Sequence, residues 1–213
     1  MIDIIPAVLP KSFAELEERI GRLKGVSSWV QIDIVGKNIL AGRDELPLWD
    51  EFDFEMNLMV SDAAAEIETC LAVGAARIVV HAHNQSARAA LESLQSQRGG
   101  DFPVEVGLAL QAHDEPQVLE AFAGLYDYVQ IMGIDHEGSQ GQPQDPHHKE
   151  VGLIRALRAT YPQLVIQVDG AVAAHPKELA DAGADRLIVG SAIVRAEDPR
   201  AAYKELYTLA NGS

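Results

Sequence analysis

Apolar residues, many of them β-branched, recur along the chain in short runs, each closed by a glycine, proline or aspartate turn and followed by a polar stretch with helical spacing. Ile2 to Leu9, punctuated by Pro6 and Pro10, predicts a first strand. Ser12 then reads as an N-cap with Glu15 three residues on, and Phe13, Leu16, Ile20 and Leu23 keep one helical face up to Gly25. Trp29 to Val35 predicts the second strand, and the mixed segment after Gly36-Lys37-Asn38 predicts a short irregular helix before Asp53. Glu55 to Val60 is the third strand, with Asp62 capping a helix to Val73-Gly74. Arg77 to His81 is the fourth, followed by a helix over Ser86 to Gln97 that Gly99-Gly100 ends. Pro103 to Leu110 is the fifth strand, and Asp114 caps a helix through Phe122. Tyr128 to Met132 is the sixth; a long polar loop, Gly133 to Pro146, then leads to a helix from His147 to Thr160. Leu164 to Val168 ends at Asp169-Gly170, a helix spans His175 to Ala182, and Leu187 to Val189 ends at Gly190-Ser191. A last helix covers Asp198 to Ala210.

The pattern is eight strands alternating with about eight helices in 213 residues. Continuous apolar strands between helices imply a parallel sheet covered on both faces, so the class is α/β. The count fits one domain, residues 1–213, folded as a small (β/α)8 TIM barrel. An open doubly wound sheet is the alternative, because periodicity does not show closure. In either fold the strand ends share one edge, where parallel α/β proteins carry their chemistry.

Composition narrows the partners. At 47% hydrophobic and 23% charged the chain can bury a sizeable core. A net charge of −15 repels nucleic acid and anionic membranes, so neither is expected as a partner, and an anionic ligand would need local capture. The amino terminus shows no basic n-region and no run is long enough to span a bilayer. The lone Cys70, in a helical pattern, fits a core position and a reducing, cytoplasmic setting.

Several polar residues fall at strand ends. Gln31 and Asp33 share one strand face, and Asn57 and Asp169 sit at comparable heights on the third and seventh strands. Two carboxylates on nearly opposite sides of a barrel mouth suit proton removal from one face of a carbon and delivery to the other. Asp33 could equally be a strand-end carboxylate satisfied by backbone amides. His81 and His83, two apart, suit either a metal site or polar rim residues bonded to their neighbours. Backbone N–H groups and the hydroxyl at Gly190-Ser191 could hold a phosphate. Gly138 and Gly141 let the loop after Met132 approach a ligand, as a lid, or leave it a solvated excursion; Met132 itself is equally at home in the core.

Taken in register, IPAVLPKSF, VQIDIVGKN, EMNLMV, IVVH, GLAL, VQIMGI with GSQGQ, VDGAV and GADRLIVGSAI resemble the ribulose-phosphate 3-epimerases along almost the whole chain. The resemblance implies a ribulose-phosphate-binding barrel and isomerisation of D-ribulose 5-phosphate and D-xylulose 5-phosphate through an enediolate. It implies Asp33 and Asp169 as the acid–base pair, and Gly141, Gly170, Ala171, Gly190 and Ser191 around the phosphate, with Met132 beside the ligand. It also implies a homo-oligomer and a divalent metal held by two histidines and the two aspartates. Those histidine positions are Gln31 and Asn57 here, Ala7 stands for a usual serine, Val35-Gly36 lacks a second aspartate, DGA replaces DGG, and His83 stands for a glutamate. Amide oxygens are poor ligands for zinc or iron. Gln31, Asn57 and His81 would then serve as neutral donors to the enediolate, or the aspartates and His83 would recruit a cation. The competing reading is a divergent, non-catalytic relative that binds a phosphorylated ligand or a protein partner.

Overall fold

A computed structural model describes residues 1–36, 38–98, 103–134 and 149–212. Its strands are β1 (Asp3–Val8), β2 (Trp29–Val35), β3 (Asp53–Met59), β4 (Arg77–His81), β5 (Glu105–Gln111), β6 (Tyr128–Met132), β7 (Val165–Asp169) and β8 (Arg186–Val189). All neighbours pair parallel, and β8 returns to β1, so the sheet is a closed eight-stranded barrel. Closure decides between the two sheets that periodicity allows.

The helices are α1 (Phe13–Arg22), α2 (Ile67–Ala72), α3 (Ala87–Leu94), α4 (Lys149–Thr160), α5 (Pro176–Ala182), α6 (Ser191–Val194) and α7 (Pro199–Asn211). Ser12 caps α1 by accepting the Glu15 N–H, while the Glu15 carboxylate takes the Lys11 N–H. Asp198 caps α7 through the N–H groups of Arg200 and Ala201. None of the described helices is long and apolar enough to cross a membrane.

Two expected helices differ. Between β2 and β3 the described residues form turns, because Gly42 and Leu48 adopt φ 74° and 55° and Pro47 follows two residues after Glu45. Leu40 and Leu46 still bury there, so the apolar pattern survives without the helix. After β5, Asp114 does not cap: its carboxylate turns back to the Gln111 N–H, and Pro116–Phe122 is a 3₁₀ segment.

Strand alternation sends two kinds of side chain to the two faces. Ile32, Ile34, Met56, Leu58, Ile78, Val80, Val129, Ile131, Ile166 and Val168 face the helices in one large apolar cluster. The alternate residues fill the barrel, and many of them are polar. Gln31, Asp33, Glu55, Asn57, Gln130, Gln167 and Asp169 are all buried. Burying so many polar groups costs several kcal/mol unless each finds a partner, so the barrel interior is where function is expected to reside.

Candidate active site

The carboxyl ends of β2, β3 and β7 bring four of these groups together. Asp33 and Asn57 are register partners, as are Met132 and Asp169. Gln31 Nε2 lies 2.8 Å from Asp33 Oδ1 and 2.9 Å from Asp169 Oδ2. Asn57 Nδ2 lies 3.1 and 3.3 Å from the same two oxygens. Each amide nitrogen carries two hydrogens, so each can give one to either carboxylate. Gln130 Nε2 adds a longer contact of 3.4 Å to Asp169 Oδ2 and lies 3.2 Å from Met132 Sδ. Every hydrogen bond these carboxylates receive from a described side chain thus comes from a neutral amide.

Charge follows from burial. Asp33 is 7% exposed and Asp169 9%. Desolvation pushes Asp33 up to about 6, against the lowering effect of its bonds from Gln31 and Asn57. Asp169 is raised well above the usual carboxylate range, by desolvation first and then by the charge of Asp33. The two therefore titrate as one unit, in which the charge left by the first proton lost holds the second proton more firmly. Such a pair offers an acid and a base at once.

His81 supports the amide from behind. Its Nε2 lies 2.9 Å from Asn57 Oδ1. Burial, and then His83, lower its pKa to about 4, so the ring is neutral at pH 7. Because Asn57 spends its N–H groups on the aspartates, its oxygen must accept, and Nε2 of His81 carries the hydrogen. His83 goes elsewhere. It lies beyond the end of β4, its side chain is 58% exposed, and its Nε2 sits 2.9 Å from both oxygens of Asp114. With His81 and Gln111 it lines a cavity of about 330 Å³ beside the ends of β3, β4 and β5.

On the opposite side, β7 and β8 end in Gly170-Ala171 and Gly190-Ser191, all half-buried. Gly170 has φ 101° and Ala171 φ 50°, so the DGA turn runs through left-handed backbone at two successive residues. The Gly133 N–H bonds Asp169 O at 2.6 Å, and a Cβ on Gly133 would fall 2.6 Å from Gly170 O. Only glycine lets the ends of β6 and β7 meet so closely. Gly141, Lys37, and the loop with its expected lid from residue 135 onward lie outside the described residues.

Beneath the aspartates is a layer that the sequence reading passed over. Gln167 Nε2 lies 2.6 Å from Glu55 Oε1 and 2.7 Å from Gln130 Oε1, and the Tyr128 hydroxyl donates to Glu55 Oε2 at 2.7 Å. Glu55 is itself raised, chiefly by burial. Arg77 and Arg186 close the amino-terminal end through Glu105, at 2.6 and 3.1 Å. The signal was present: in EMNLM, YVQIM and VIQVD a polar residue occupies alternate positions of an otherwise apolar strand.

Comparison with known proteins fits this geometry. The model of the ribulose-phosphate 3 epimerase family matches residues 3–194. The chain belongs to the ribulose-phosphate 3-epimerase family. It is 27% identical to the ribulose-phosphate 3-epimerase of Schizosaccharomyces pombe over 208 residues, covering 92% of this chain and 88% of that one. Against the Bacillus subtilis ribulose-phosphate 3-epimerase it is 27% identical over 219 residues, covering 97% and 98%. Among solved structures, a ligand complex of KGPDC from Streptococcus mutans superposes with a TM-score of 0.72 at 13% identity, over 99% of this chain and 98% of that one. The 3-hexulose-6-phosphate synthase of Salmonella typhimurium gives 0.69 at 16%, over 99% of both. At that identity these two neighbours show the fold alone.

The divalent metal that the family resemblance implies does not fit the groups present. Between the carboxylates of Asp33 and Asp169 lie N–H groups, the positive ends of two amide dipoles, where a cation would need lone pairs. His81 holds the Asn57 oxygen turned away. Among the described residues no three His, Cys, Asp or Glu side chains converge as a ligand set.

Proposed function

We propose that this family member interconverts D-ribulose 5-phosphate and D-xylulose 5-phosphate by moving the proton at C3 with Asp33 and Asp169. The observation that carries the reading is the carboxyl pair itself: two buried groups from β2 and β7, joined through shared donors and both raised by burial. Epimerisation needs a base on one face of C3 and an acid on the other, and it must run in both directions. A pair that stores one proton on either member meets both needs.

In the forward step ionised Asp33 takes the C3 proton, and the C–H electron pair forms the C2–C3 double bond of an enediolate. Protonated Asp169 then delivers its proton to the opposite face of C3, and the C2 carbonyl re-forms. Asp169 is left charged, which is the state that starts the reverse reaction, and exchange with solvent resets the pair. The phosphate would lie against the turns Gly170-Ala171 and Gly190-Ser191, and Met132 would pack beside the sugar. The names of the relatives support the substrate.

The test is proton NMR of D-ribulose 5-phosphate in D2O with chelator-treated protein. Loss of the C3 proton signal and appearance of xylulose 5-phosphate are expected; Asp33→Asn should abolish both, and Asp169→Asn should abolish the appearance of xylulose 5-phosphate. No exchange with or without added Zn²⁺ or Mn²⁺ would sink the assignment and leave a non-catalytic role.

A further inference from the structure

We propose that the paired amides of Gln31 and Asn57 do in this chain what a divalent cation would otherwise do: they brace Asp33 against Asp169 and answer the charge that forms during proton transfer, so the site works without a metal ion. The inference rests on the epimerase reading for its substrate, and on geometry alone for its chemistry.

Two negative or potentially negative oxygens, Asp33 Oδ1 and Asp169 Oδ2, both lie within 3.3 Å of the Gln31 and Asn57 side-chain nitrogens. That is a four-bond cage of N–H donors in a water-poor barrel, where donors aimed at charge act most strongly. Its orientation is fixed from outside. His81 donates to Asn57 Oδ1 at 2.9 Å, and Gln31 Oε1 faces Gln167 Nε2 at 3.5 Å. Turning either amide over would set an oxygen against a carboxylate and lose its donation to both.

The cage meets the charge at every stage of the reaction. At the start the negative charge is on Asp33, and both amides donate to it. When the C3 proton reaches Asp33, both carboxyl groups are neutral and the charge sits on the enediolate oxygen. The N–H groups then lose their ionic acceptor as a new one appears beside them. When Asp169 gives up its proton, the charge arrives on an oxygen that both amides already contact. A cation would serve the same three states by position alone, and here the donors need only shift their emphasis.

The test begins with metal content. Chain purified without chelator is expected to carry far less than one metal atom per molecule. A cation bound at about 100 times its Kd would add about 2.7 kcal/mol, which for a chain of this size raises the midpoint by roughly 5–10 °C. Added Zn²⁺ or Mn²⁺ is therefore expected to leave the thermal midpoint unmoved. In the NMR assay, chelator-treated protein should keep its full rate, while Gln31→Leu should lose about 100-fold, the usual cost of one preorganised donor. Stoichiometric metal that Asp33→Asn removes, or a rate that returns only with added cation, would overturn the proposal. If no exchange occurs under any condition, the epimerase reading fails; metal content and midpoint still decide whether the aspartates hold a cation.

Discussion

Replacing Asp33 by asparagine should make the protein more stable at pH 8 while removing its activity. The carboxyl of Asp33 is shifted by burial from 3.8 to about 6. A group whose pKa is higher folded than unfolded binds its proton more tightly in the fold. Its contribution to stability is fully present below the unfolded value of 3.8 and is lost as the pH rises through about 6. Two pKa units at 1.36 kcal/mol each put the cost of ionised Asp33 at about 3 kcal/mol. The substituted amide would carry no charge, and its oxygen could still accept from Gln31 and Asn57. Asp169 would ionise more readily once its charged neighbour is gone, recovering part of that cost. The expected net gain at pH 8 is about 1–2 kcal/mol, vanishing near pH 4, by urea denaturation at both pH values. A variant less stable than wild type at pH 8, with an unchanged pH slope, would refute the reasoning. It would mean that ionised Asp33 is fully compensated, as beside a bound cation.

Three further outcomes test other parts of the structure. Gly107→Ala would place a Cβ 2.6 Å from Cζ of Tyr128, so it should destabilise by about 1–3 kcal/mol in chemical denaturation as the ring and its bond to Glu55 are displaced. Ala171→Gly relieves a left-handed alanine at φ 50° and should raise stability by about 0.5–1 kcal/mol; an unchanged or lowered midpoint would show that the turn is not strained. His81, lowered to about 4 by burial, should show no change in imidazole NMR shifts between pH 5 and 8, whereas titration near 6.5 would remove its role as a fixed donor to Asn57.

What the sequence determined was most of what depends on neighbours along the chain, though not the Asp114 cap, whose carboxylate turns back to the Gln111 N–H. The strands at Trp29–Val35, Arg77–His81 and Tyr128–Met132 follow directly from apolar runs and their bounding turns. The Ser12 cap was legible for the same reason, since three residues suffice to make it. Motifs in register also pointed to the family, and they placed Asp33 and Asp169 at ends of strands that face one mouth. The helix expected between β2 and β3 failed because Gly42 and Leu48 take positive φ, although Leu40 and Leu46 still bury there.

What only the tertiary structure decided is which way each polar group points and whom it meets. Gln31 and Asp169 are 138 residues apart in sequence, yet 2.9 Å separates their polar atoms. Nothing in the order of residues says that an amide will turn its N–H groups inward, since that depends on His81 holding one oxygen and Gln167 approaching the other. The raised carboxyl pair has the same origin. A carboxylate's charge is cheap in water and costly in a closed barrel, and closure is a property of β8 meeting β1, which no segment carries alone.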